Sequence, residues 1–105
     1  NVVVAGVYIA ICMQYPTIEL YGVEHSWTRN LSVNEDNEVC LENPHFYDGK
    51  GQKVQTQMGW NLHVTLNKYA RMFESYWELN ALAEKRKVRI INKTKDSFID
   101  AFPKK

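Results

Sequence analysis

From Thr65 to Arg86 the chain keeps one apolar stripe at helical spacing, through Leu66, Tyr69, Ala70, Phe73, Tyr76, Trp77, Leu79, Leu82 and Ala83. Apolar residues every three to four positions over so long a window specify an amphipathic α-helix. A chain of 105 residues that commits this much length to one helix has room for one small domain around it. Thr65 is the expected N-cap. The basic run Lys85-Arg86-Lys87 reads as a solvated C-terminal cap that complements the helix dipole. Lys87 to Asn92 then alternates as a strand near a sheet edge, and Ser97 to Phe102 reads as a final helical turn packed by two aromatics.

The other end of the chain repeats the order. Val2 to Gln14 reads as a buried helix with Tyr8, Ile11, Cys12 and Tyr15 at helical spacing. Three β-branched residues in a row, Val2-Val3-Val4, disfavour helix, so the helix is expected to begin near Ala5 after an extended approach. Pro16 stops it. Thr17 to Val23 is a short apolar run ending at Gly22-Val23, the pattern of a parallel strand buried on both faces. Between Glu24 and Leu62 lies a long polar excursion. Within it Leu31-Ser32-Val33 and Glu38-Val39-Cys40-Leu41 flank Asn34-Glu35-Asp36-Asn37 as a β-hairpin, and Asp48-Gly49-Lys50-Gly51 is a second turn. Helix, strand, excursion, helix, strand is the alternation of an α/β sheet with mostly parallel strands.

Composition excludes some functions. The formal net charge is +1, so no global field favours nucleic acid. Cys12 and Cys40 sit among apolar neighbours, as buried reduced thiols do, and no Cys/His spacing suggests a metal. Asn30-Leu31-Ser32 and Asn92-Lys93-Thr94 match the N-glycosylation pattern, but the apolar amino-terminal stretch lacks the basic region of a signal peptide and is too short to span a bilayer. The cytoplasm is the default location. The chain opens inside an apolar run without Met, which suggests that an upstream half is missing.

In open parallel sheets ligands bind beyond the carboxyl ends of the strands, where free N–H groups at helix starts can hold phosphate. Two places fit: Ala5-Gly6-Val7 at the expected helix start, and Gly22-Val23-Glu24-His25-Ser26-Trp27 leaving the first strand. The plain alternatives are a helix packing contact at Gly6 and an ordinary turn after the strand. His25, His45 and His63 could serve as general bases. His63, just before the long helix, has the best position, and His45 lies beside Phe46, Tyr47 and Asp48 in the excursion.

Gly6-Val7-Tyr8-Ile9-Ala10-Ile11 followed by Ile18-Glu19-Leu20-Tyr21-Gly22-Val23-Glu24 resembles the core of bacterial sialyltransferases of the Campylobacter type. It is also similar to the wider group of motility-accessory-factor-like and pterin-pyrophosphokinase-like proteins. The strand Lys87 to Ile91 and Ser97-Phe98-Ile99 fit the same pattern. The resemblance implies the C-terminal half of a three-layer Rossmann-like domain, residues 1–105, with residues 24–62 as a lid. It implies a metal-independent glycosyltransferase without cofactor, moving a sugar from a nucleotide donor to a glycan acceptor in lipooligosaccharide or capsular polysaccharide synthesis. Ala5, Gly6, Val7, Gly22, Glu24, His25, Ser26 and Trp27 would face the nucleotide, Tyr47 would belong to the lid, and His63 or His45 would be the base. Glu24 stands where those families carry Asp, and Val4-Ala5 where they carry a hydroxyl-bearing pair. A homo-oligomer and peripheral contact with the inner membrane face are compatible with this reading. The rival expectations are a non-catalytic nucleotide-binding or oligomerisation module, with Tyr69, Phe73, Tyr76 and Trp77 as its interface, and a pyrophosphokinase-like enzyme.

Overall fold

The computed structural model describes residues 1–42, 53–55 and 61–105 of this mixed α/β chain. The chain divides into two compact units, Asn1–His25 with Tyr69–Lys105, and Ser26–Lys68.

The first unit is built on helix α1 (Val2–Cys12), strand β1 (Thr17–Leu20), most of helix α2 (Leu62–Arg86) and strand β5 (Arg89–Asn92). β1 and β5 pair in parallel, with Thr17 opposite Arg89 and Leu20 opposite Asn92. Arg89 N donates to Pro16 O at 3.0 Å and Lys93 N to Leu20 O at 2.8 Å, closing the ladder at both ends. Val7, Ile11, Leu20, Tyr76, Leu79, Ala83, Val88, Ile90, Ile99, Ala101 and Phe102 form one core. On α2 the buried residues Tyr76, Leu79 and Ala83 repeat every three to four positions, while Leu66, Ala70 and Trp77 of the sequence stripe are exposed.

Both helices differ from expectation at their starts. α1 begins at Val2, three residues before Ala5, because Asn1 caps it: the Asn1 Oδ1 accepts from Val3 N at 2.9 Å. A good cap contributes about 1 kcal/mol, which offsets the modest helix penalty of a β-branched run. The valines are also held by tertiary contact, with Val3 and Val4 packed against the core. The face turned inward is Val7 and Ile11, four positions apart, so Cys12 is turned outward and exposed rather than buried. Tyr8 and Tyr15 are also half exposed, at 52% and 51%. α2 begins at Leu62, where Asn61 Oδ1 accepts from Val64 N at 2.9 Å. Thr65 lies one turn inside and donates its hydroxyl to Asn61 O at 2.9 Å.

Both helices end alike. Gln14 N donates to Ile11 O and Tyr15 N to Ala10 O; Lys87 N donates to Glu84 O and Val88 N to Ala83 O. These are paired Schellman bonds, with Gln14 (φ 60°) and Lys87 (φ 58°) left-handed at the position that favours glycine. α1 therefore stops by its own cap, four residues before Pro16.

β1 ends at Leu20 and is buried on one face only, and β5 does not alternate, since Ile90, Ile91 and Asn92 are all buried. Ser97 to Phe102 is not helical. Its backbone bonds elsewhere: Phe98 N donates to Glu24 O at 2.8 Å, Ile99 N to Ser97 Oγ at 3.2 Å, and Asn92 N to Pro103 O at 2.8 Å.

In the second unit β2 (Leu31–Val33) and β3 (Val39–Glu42) form the expected antiparallel hairpin, Leu31 opposite Leu41 and Val33 opposite Val39. Asn34 Oδ1 accepts from Asp36 N and Glu38 N, and Asn37 is left-handed at φ 60°. A third strand, β4 (Lys53–Gln55), pairs antiparallel with β3. A short 3-10 turn, Trp27–Asn30, leads into β2, and Val39 and Cys40 are buried. The turn Asp48 to Gly51 lies outside the described residues.

A left-handed L-residue costs about 1–2 kcal/mol, part of which glycine returns as chain entropy. Lys87→Gly is therefore expected to stabilise the chain by about 0.5–1 kcal/mol, read as a raised urea midpoint at unchanged m-value.

Candidate functional site

The carboxyl ends of β1 and β5 lie side by side, and the loops leaving them are laced together by side chains. Thr94 Oγ1 accepts from Val23 N at 3.0 Å and donates to Leu20 O at 3.5 Å. Ser97 Oγ donates to Val23 O at 2.7 Å. Asn92, fully buried, donates through Nδ2 to Ser97 Oγ at 2.9 Å and to Ile99 O at 3.4 Å, and accepts from Thr94 N at 3.1 Å. Among the described residues no buried side-chain nitrogen or oxygen lacks a partner. A saturated network in a dry setting is stiff, because any rearrangement strands a polar group. It fixes the course of the chain from Leu20 to His25, with Gly22 left-handed at φ 70°.

That course delivers His25 to Tyr76. His25 is itself left-handed at φ 50°, a conformation the surrounding bonds must hold in place. Its Nε2 lies 2.6 Å from the hydroxyl of Tyr76, with ring centroids 5.4 Å apart. Asn1 Nδ2 donates to the same hydroxyl at 3.1 Å and stands 3.3 Å from His25 Nε2. Because Asn1 Oδ1 is engaged by Val3 N, the amide NH₂ must be the group facing Tyr76. The hydroxyl therefore receives from Asn1 and gives its own proton to an unprotonated Nε2. Tyr76 is fully buried, edge-on to Phe102 at 5.9 Å. An imidazolium would present a second donor to that hydroxyl and leave its proton without this acceptor. Burial accordingly lowers the His25 pKa, against a smaller opposing pull from Glu24, and burial raises that of Tyr76, against a smaller lowering from the Asn1 hydrogen bond. The pair is a neutral lock that holds the loop. It is not an activated phenolate.

The remaining expected residues are dispersed. Ala5, Gly6 and Val7 lie inside α1, not at its start, and Val7 is buried in the core. Any free N–H groups at that helix end belong to the first turn, beginning at Val2. Gly22 and Glu24 are exposed on the loop after β1. Ser26 and Trp27 fall in the second unit, at the start of the 3-10 turn, with Trp27 44% exposed. His63 also belongs to the second unit, exposed within the first turn of α2 instead of preceding it, its Nε2 3.2 Å from Asn67 Nδ2. His45 and Tyr47 lie outside the described residues. Three contributors escaped the sequence reading: Asn1, whose Asn-Val-Val-Val context is a legible N-cap, Tyr76, hidden as one aromatic of a core stripe, and the Asn92–Thr94–Ser97 set. Among the described residues no three His, Cys, Asp or Glu side chains gather as a metal-ligand set, and no helix is long and apolar enough to cross a membrane. The chain matched no family model, no curated protein and no solved structure.

Two outcomes follow from this geometry. Asn92→Ala strands several buried partners and should cost about 2–4 kcal/mol in urea denaturation. The unfolded chain takes up a proton on His25 near 6.5, while the folded chain resists it to lower pH. Stability from His25 is thus complete above pH 6.5 and is lost as pH falls below it. His25→Asn, which tolerates the left-handed backbone, should flatten that slope in melting midpoints recorded from pH 7.5 to about 5. An unchanged slope would show that the lock does not favour the neutral ring.

Proposed function

We propose that the first unit is the C-terminal part of a Rossmann-like nucleotide-sugar-binding domain, and that the chain belongs to a bacterial glycosyltransferase of lipooligosaccharide or capsular polysaccharide synthesis. The supporting observation is the parallel β1–β5 pair, whose carboxyl edge carries Gly22, Glu24 and His25 on a loop held by the Asn92–Thr94–Ser97 network. Ligands of parallel α/β sheets bind at that edge. On this reading Gly22, Glu24 and His25 belong to the donor edge, and a histidine takes the proton of the acceptor hydroxyl. His25 is a positioning residue there, because its Nε2 faces Tyr76. Most of the rate would come from orienting donor and acceptor and from stabilising the departing nucleotide phosphate. Such an enzyme would work in the cytoplasm or at the inner face of the membrane.

The expected interface of Tyr69, Phe73, Tyr76 and Trp77 does not form one exposed surface, because Tyr76 is fully buried and Phe73 packs against the core, but another observation favours an oligomerisation module as a second reading. α1 leaves Val2, Ile9 and Met13 at 86%, 56% and 62% exposure, and Trp77 on α2 is 49% exposed. Apolar surface of this kind marks interaction sites when it is contiguous. Sedimentation that finds only a monomer at micromolar concentration would remove this second reading.

The donor reading is tested by melting a longer chain, which includes the preceding part of the domain that this reading requires, with CMP-, GDP-, UDP- and dTDP-sugars in turn. One nucleotide class should raise the midpoint, since a ligand at 100 times its Kd adds about 2.7 kcal/mol. No shift with any class would sink the proposal. In a longer chain that transfers sugar, His63→Ala should lower kcat by about 10²-fold or more if His63 is the base.

A further inference from the structure

One face of α2, at Ala70, Phe73, Glu74 and Trp77, meets Phe98 and Asp100 of the segment after β5 across an open groove of about 760 Å³. Ala70, Phe73, Glu74 and Trp77 follow the three-to-four spacing that puts them on one side of a helix. The floor is aromatic. Phe73 is partly buried against the core, Phe98 is held by its backbone N–H on Glu24 O at 2.8 Å, and Trp77 is half exposed. Glu74 and Asp100 are both exposed, and neither has an ion-pair partner among the described residues. Lys104, near in sequence, places its ammonium on Ser97 O at 2.9 Å. The groove therefore joins three ring systems to two carboxylates that form no ion pair among the described residues.

We propose that this groove binds an arginine side chain presented by an extended segment of a partner protein. The chemistry selects the occupant in three steps. Ring faces and carboxylates both attract a cation and both repel an anion, so phosphate-bearing ligands are excluded. A guanidinium can stack flat on an aromatic face while its edge donates two parallel hydrogen bonds to a carboxylate, which an ammonium cannot do. The groove is open along one side, so it does not enclose a small free ligand, whereas a polypeptide covers the open side with its own backbone. Nothing in this inference depends on a nucleotide-sugar activity, and the groove residues are not among those assigned to the donor edge.

The test uses the whole chain and a short probe peptide, acetyl-Gly-Arg-Gly-amide, followed by the indole N–H signals of the three tryptophans in a nitrogen-15 correlation spectrum. Trp77→Phe identifies the Trp77 signal by its loss. The arginine peptide should shift the Trp77 signal saturably, at concentrations up to about ten times a millimolar Kd. The lysine peptide should bind several-fold more weakly, and the citrulline peptide, which keeps the shape without the charge, should leave the signal in place. Glu74→Gln with Asp100→Asn should weaken arginine binding about tenfold while the melting temperature stays unchanged, both side chains being exposed. A Trp77 signal unmoved by arginine, or moved equally by citrulline, overturns the proposal. So does full arginine affinity in the doubly neutralised variant.

Discussion

Asn92 exposes none of its surface, and each polar atom of its side chain has a partner. An unpaired amide in that place would cost about 1–3 kcal/mol for each stranded group, so the surrounding chain has few ways to arrange itself. From Asn92 the bonds run through Thr94 and Ser97 to Leu20 and Val23, and then to the loop that ends at His25. Apolar packing brings β1 and β5 together, but packing tolerates small slips. Directional bonds fix where the loop goes, and the loop determines which side chains stand at the sheet's carboxyl edge.

The His25–Tyr76–Asn1 cluster extends the same logic to the two helices. Asn1 caps α1 with one end of its amide and reaches Tyr76 of α2 with the other. His25 brings in the loop from β1. One hydroxyl thus ties a helix start, a helix middle and a strand exit, each contributing an atom that the other two need. This favours a neutral histidine on the loop that leaves β1.

Much of the fold was legible because periodicity is a strong signal. The long helix α2, a strand within Thr17 to Val23 and the hairpin around Asn34 all follow from spacing and turn residues. Helix boundaries were not legible from propensity alone, because Asn1 and Asn61 act as caps whose bonds outweigh a β-branched run and a preferred Thr cap. Phe98 and Phe102 suggested a helical turn, but their segment bonds to Glu24 and Asn92, partners too distant in sequence for any local pattern to announce. Asn92-Lys93-Thr94 matched a glycosylation pattern, yet the folded chain buries and saturates the asparagine. The site was less legible than the fold, since Tyr76 and His25 are 51 residues apart and neither stands in a motif.

The bond between Val23 and Thr94 joins residues 71 positions apart, while the hairpin of the second unit closes over a few. Long-range pairings form late, because loop closure must be met before any contact rewards it, whereas local hairpins form within microseconds. On a ribosome, β1 and α1 would emerge early and wait, their apolar surface open, until β5 and the Ser97–Phe102 segment leave the exit tunnel. Between those two moments apolar surface that the finished unit buries is open to solvent, the condition in which chains associate wrongly.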